Sequence, residues 1–122
     1  IPIVVKLAKR QEKASVVAGD ESIGAGLDRE TIRRYIQTKM NQIRWCYQQE
    51  LQKNPELAGK VVMQWIILPS GYTTAVKVSE STIRNVGVET CVSERIAKWR
   101  FPAPPGGQTI PVSYPFIFNA VR

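Results

Sequence analysis

The chain has no histidine in 122 residues. That removes the side chain most often used as a general base near neutral pH, and the commonest metal ligand with it. Only two cysteines are present, Cys46 and Cys91. Two are too few for a disulfide-rich scaffold, and no C-x-x-C pair suggests zinc or thioredoxin chemistry. There is no phosphate loop and no G-x-S-x-G elbow; Gly24-Ala25-Gly26 is only a fragment of a glycine-rich loop. Glu89 and Glu94 fall on different sides of one predicted helix and read as solvated. The expectation is a non-catalytic chain with no metal and no cofactor. Long apolar runs are missing too, since the stretch around Trp65 to Leu68 is only strand-sized. Because the chain begins with Ile1 rather than Met, it reads as a fragment or processed form whose signal or membrane anchor lies outside it. Acidic residues are few: 10 Asp+Glu stand against 17 Lys+Arg, a net charge of +7. That favours an acidic partner, such as nucleic acid, an anionic membrane surface or an acidic protein. The basic residues form no block, so a solvated basic surface is the plainer reading.

With 43% hydrophobic residues, the chain can bury one modest core. Residues 1–27 read as an N-terminal linker or extension. Within it, Ile1 to Leu7 could form a short strand, and Val16 to Gly26 reads as linker because of its glycines and acids. Residues 28–122 read as the domain. Asp28 suits an N-cap, and Ile32, Ile36, Met40, Ile43, Tyr47 and Leu51 recur at helical spacing, which predicts one amphipathic helix ending near Asn54-Pro55. Gly59 to Leu68 reads as a strand. Val61, Met63, Trp65 and Ile67 alternate with a second set nearly as apolar, so the strand should be central and covered on most of both faces. A Pro69-Ser70-Gly71 turn leads to a second strand, Tyr72 to Ser79, with Tyr72, Thr74, Val76 and Val78 on one side. A second helix runs from about Asn85, its N-cap, to Trp99, and Phe101-Pro102 ends it. The last strand covers Ile110 to Val121, with Ile110, Val112, Tyr114, Phe116 and Phe118 facing the core. The expected fold class is α+β, with two helices packed on a three-stranded antiparallel sheet in the order helix-strand-strand-helix-strand.

Two features point beyond packing. Cys46 falls three residues after Ile43, and Cys91 three after Val88, so each flanks the apolar seam of its helix. Helices on one side of the sheet would bring the pair together. The spacing favours a disulfide, with two buried free thiols as the alternative. A disulfide would place the domain in an oxidising compartment. The second feature is Pro111 and Pro115, which lack amide donors and share one parity of the last strand. Both face one edge, and that edge must be unpaired. Ile110 to Val121 is therefore expected to be an edge strand, its open side offering Ser113, Ile117 and Asn119. Such an edge either accepts an extended peptide in certain registers or is simply blunted. A nucleic-acid face would need Arg29, Arg33, Arg34 and Arg44 with Trp45 and Tyr47 as stacking rings. Tyr47 lies on the core face and no recognised motif accompanies the arginines, so nucleic acid is not an expected partner.

The residues now assembled resemble a known family. They are I-R-W-C-Y-Q-Q-E-L at Ile43 to Leu51, N-P-E-L-A-G-K-V at Asn54 to Val61, the P-S-G-Y turn, C-V-S-E-R-I-A-K-W-R-F-P at Cys91 to Pro102, and V-S-Y-P-F-I-F at Val112 to Phe118. Over residues 28–122 the chain looks like a TonB-type C-terminal domain, specifically of the AgmX/PglI branch found in gliding-motility and related envelope proteins. The resemblance implies a periplasmic domain tethered to an inner-membrane anchor outside this chain. It implies coupling of an inner-membrane motor to outer-envelope or periplasmic partners, without catalysis and by strand addition on the last strand. Carried over by position, the contact strand is Val112, Ser113, Tyr114, Pro115, Phe116, Ile117 and Phe118, to which the open-edge argument adds Asn119. The family's cysteines match Cys46 and Cys91. The branch implies motility. The alternatives are a TonB-type energy transducer for outer-membrane uptake, a nucleic-acid or anionic-surface module, and a structural oligomerisation domain, a homodimer included. Two departures count. Pro115 interrupts the receiving strand, and residues 1–27 match nothing in the family and could pair with the open edge themselves.

Overall fold

The computed structural model describes residues 15–18, 22–23 and 29–119. Its elements are β1 (Ser15–Ala18), β2 (Ser22–Ile23), α1 (Arg29–Thr38), α2 (Met40–Leu51), β3 (Gly59–Ile67), β4 (Thr73–Ser81), α3 (Val86–Ala97), a 3-10 turn at Pro105–Gly107 and β5 (Ile110–Asn119). The α+β class is as expected, and β5, β3 and β4 form the expected antiparallel three-stranded sheet in that spatial order. The expected strand at Ile1 to Leu7, the Asp28 cap and the end of the last strand beyond Asn119 lie outside the described residues. Among the described residues, no helix is long and apolar enough to cross a membrane.

Burial follows the period of each element. Along β3, Val61, Met63, Trp65 and Ile67 are buried, and so are Ile110, Val112, Tyr114, Phe116 and Phe118 along β5. Ile32 and Ile36 from α1, Ile43 and Tyr47 from α2, and Val88, Val92 and Ile96 from α3 complete the same core. Each such side chain contributes roughly 1.5–3 kcal/mol of apolar transfer. The Asn85 cap forms as expected, its side-chain oxygen accepting from the Val88 amide at 2.9 Å. The cysteines are joined: Cys46 and Cys91 form a disulfide with 5.7 Å between their Cα atoms, tying α2 to α3.

Five expectations need correction. The single first helix is two. Thr38 turns its hydroxyl onto the Tyr35 carbonyl at 2.6 Å, and the Lys39 amide reaches Ile36 rather than Tyr35, so the ladder tightens and breaks at Lys39. The second face of β3 is less covered than expected, with Val62, Gln64 and Ile66 only half-buried. On β4 the simple alternation fails. Thr74 pairs Ile66 and Lys77 pairs Gln64, so Ala75 and Val76 together oppose Trp65. That bulge brings Val76 and Val78 against the core and leaves Thr74 exposed. The stretch from Val16 to Gly26, expected as linker, contributes to β1 and β2, which pair with β5 as the sequence allowed residues 1–27 to do. Lastly, β5 is not an edge strand: β3 lies on one side of it and β1 with β2 on the other.

Candidate docking edge

β5 owes its position to the segment before it. Trp99 and Phe101 are buried, and with Tyr35 and Trp65 they make an aromatic cluster with centroid distances from 4.4 to 6.3 Å. The Trp99 indole donates to Gln42 Oε1 at 2.9 Å, and the Arg100 amide donates to the Tyr35 hydroxyl at 3.0 Å. The Phe101 amide donates to the Gly71 carbonyl at 2.8 Å. Gly71 has φ +91°, and a Cβ there would lie 2.1 Å from the Phe101 carbonyl oxygen. Only glycine permits that approach. Arg100 then stacks over the Tyr72 ring at 4.3 Å. The W-R-F-P and P-S-G-Y motifs are thus two halves of one clamp. Pro102, Pro104 and Pro105 follow, and the chain enters β5 at Ile110 with its apolar parity already aimed at the helices.

The strand itself is regular. Its register with β3 runs without a slip from Gly59↔Phe118 to Ile67↔Ile110, nine consecutive pairs. Within that ladder Pro111 faces Ile66 and Pro115 faces Val62. A residue with no amide can stand in an unbroken antiparallel ladder only at a non-hydrogen-bonded pair, so both prolines turn their backbone away from β3. Ser113, Ile117 and Asn119 share that parity and turn the same way. The parity argument from sequence therefore chose the correct side of the strand, and only its vacancy was wrong.

Ser15 pairs with Asn119, Val17 with Ile117 and Ser22 with Ser113. Every non-proline residue from 111 to 119 with an outward amide is thus already paired with a strand. Among the described residues, β1 covers 116–119 and β2 covers 112–113, and the prolines at 111 and 115 have no amide to give to either. Three residues, 19–21, separate β1 from β2 in the chain, whereas two, Tyr114 and Pro115, separate their partners on β5. Val16, opposite Phe118, is buried in the main core.

Of the residues expected at the site, Val112, Tyr114, Phe116 and Phe118 point into the core, Ser113 and Ile117 are half-buried, Pro115 is buried and Asn119 is exposed. The first set can hold a partner only through backbone. Under this end of β5, the Tyr47 ring lies 4.9 Å from Phe118 and its hydroxyl donates to the Leu57 carbonyl. Burial pushes the Tyr47 phenol from 10.0 up to about 12. Sequence reasoning missed β1 and β2, because three glycines and two acids between Val16 and Gly26 masked the short run Ser15-Val16-Val17-Ala18. The β-branched pair Val16-Val17 was the available signal.

The other side of the molecule offers less. Trp45 is 46% exposed but lies under the Arg95 guanidinium at 5.0 Å. Arg33 is paired with Glu30, and Arg44 donates to Asn41. Tyr47, the second ring considered for stacking, is buried. None of three comparisons, with protein-family models, with curated proteins and with solved structures, returns a match to this chain.

Proposed function

We propose that the chain is a non-catalytic protein–protein interaction domain of an inner-membrane-anchored envelope protein, a TonB-type C-terminal domain of the AgmX/PglI kind. It sits in the periplasm and couples an inner-membrane motor to outer-envelope partners, in gliding motility. The observation that carries this reading is the outward side of β5. Its amides at Ser113, Ile117 and Asn119 already take an added antiparallel strand from the chain's own N-terminal segment. An edge that accepts a strand through backbone bonds is what recognition by strand addition requires. The Cys46–Cys91 bond supports an oxidising compartment. The motif residues support the family through their shared task, since the clamp between Gly71 and Phe101 fixes where β5 begins.

The test is a photo-activated cross-linking side chain placed in turn at Ser113 and at Lys77 on β4, in the native envelope. Cross-links from Ser113 to an outer-envelope or periplasmic protein are expected, and none from Lys77. Ile117→Pro should abolish them, because it removes an outward donor and spares the ladder to β3. Cross-links only from β4, or cross-links indifferent to Ile117→Pro, sink the proposal.

A further inference from the structure

The two sides of β5 are unequal in a way that bears on how a partner would enter. On the inner side nine residues pair without interruption. On the outer side the described pairs are four, at 116–119, and two, at 112–113, and Pro115 between them has no amide to offer. Strand pairing is stabilised by neighbouring cross-strand contacts, so a split ladder of four and two opens far more readily than one of nine. Val16 is buried behind the outer ladder, and whole rows of β3 and β5 residues are buried behind the inner one.

We propose that β1 and β2 are an internal occupant of the docking edge, and that a partner's extended segment enters in their place. The inference rests on the reading of β5 as the docking edge, and it adds what that edge recognises. The occupant is the template. The incoming strand runs antiparallel to β5. It carries a β-branched aliphatic residue opposite Phe118, in the place Val16 fills. It pairs in register at Asn119, Ile117 and Ser113, and it has one extra residue opposite Tyr114 and Pro115, where no amide answers it. Pro115 then works as a register mark. A plain continuous strand loses a bond at Pro115, and a strand with a one-residue bulge at that place keeps its register on both sides of it. The internal occupant lowers the apparent affinity of every partner by the fraction of time the edge is vacant.

The experiment uses the whole chain and a fluorescent peptide of residues 14–24 as the probe. The peptide is expected to bind the full chain weakly, and the same peptide carrying Val17→Pro is expected not to bind. Val16→Ala in the protein loosens the occupant and should tighten binding of the unaltered peptide about tenfold. Unchanged or weaker binding to that variant, or no binding of the peptide at all, overturns the proposal. A second measurement needs no variant. Amide hydrogen exchange in the native chain should be much faster at Ser113, Ile117 and Asn119 than at Val112, Tyr114, Phe116 and Phe118 on the same strand. Equal protection of the two sets means that β1 and β2 are permanent members of the sheet and also overturns it. If the peptide exchanges as expected while no envelope protein cross-links to β5, the exchangeable strand stands and the envelope role falls.

Discussion

Along β4 the ladder to β3 slips twice. Ala75 with Val76 oppose Trp65, and Ser79 is an extra residue between the Met63 and Val62 pairs. Ala75 takes φ +55°, and the strand also carries exposed Lys77 and a Glu80 that pairs with Lys60 at 3.0 Å. Along β5 the ladder never slips, and no positive φ interrupts it. β4 is a poor template by shape, because a regular strand cannot match its two bulges. β5 is a good template and is protected by something laid on it. Protection by shape is permanent, whereas protection by an occupant lasts only while the occupant stays. One sheet thus has an irregular outer strand on one side and, on the other, a regular strand covered by the N-terminal segment.

The largest expected effect should fail to separate the two sides. Both rest on the helix layer that Cys46–Cys91 holds together across a sequence separation of 45. Closing a loop of that size stabilises by about 4 kcal/mol in the chain-entropy model. Replacing both cysteines with alanine should lower the unfolding free energy by about that amount, with a steeper denaturant slope because the unlinked unfolded chain exposes more surface. Amides of β3 bonded to β4 and those bonded to β5 should lose exchange protection together. Loss on one side only would show that the helices support one edge and that the comparison is trivially explained by packing.

A smaller effect falls on the β5 side. Tyr47 packs its ring on Phe118, and burial raises its phenol from 10.0 to about 12. The unfolded chain ionises first, so the fold keeps this contribution in full below pH 10 and loses it as pH rises from 10 to 12. Solvent screening keeps this contribution below the roughly 2–3 kcal/mol that the full shift would give. Stability of the native chain should fall between pH 10 and pH 12, with Tyr47 among the groups responsible. Tyr47→Phe should remove part of that slope while costing about 1 kcal/mol at neutral pH for the lost bond to Leu57. An unchanged slope in the variant would assign the alkaline sensitivity elsewhere.

Much of this arrangement was legible in residue order. The alternation of Val61 to Ile67 and of Ile110 to Phe118 found the two long inner strands, and the Cys46 and Cys91 spacing found the disulfide. The parity of Pro111 and Pro115 found the outward side of β5 because a missing amide is a fact of covalent chemistry. That residues 1–27 could fill that side was legible, and β1 and β2 do fill it; which residues would form the strands was not. Four and two residues bounded by glycines and acids give too short a period to register as strands. Their pairing is decided by a partner more than 90 residues away in the chain. The β4 bulges were hidden for a similar reason, since Thr73 to Val78 alternates acceptably on paper and only the fit to β3 forces Ala75 out of step. The break at Lys39 came from Thr38, whose hydroxyl competes for a helix carbonyl that periodicity does not weigh.

The smallest expected effect tests whether the closure of β4 lies in its shape. Ala75 holds a left-handed conformation without being glycine, which costs on the order of 1 kcal/mol. Ala75→Gly relieves that cost and in turn loosens the unfolded chain, so the expected gain is under about 1 kcal/mol. Glycine suits the bulge better than alanine, so the ladder slip should persist and the protein should keep its oligomeric state by light scattering. A variant that is less stable, or that associates with itself, would mean that the Ala75 methyl group and not the backbone kink keeps strands away from β4. The contrast with β5 would then rest on side chains at one edge and an occupant at the other. If the variant stays unassociated and gains stability, the kink alone closes β4. An exchangeable strand is then required only at β5, where regular backbone leaves nothing else but two prolines to guard it.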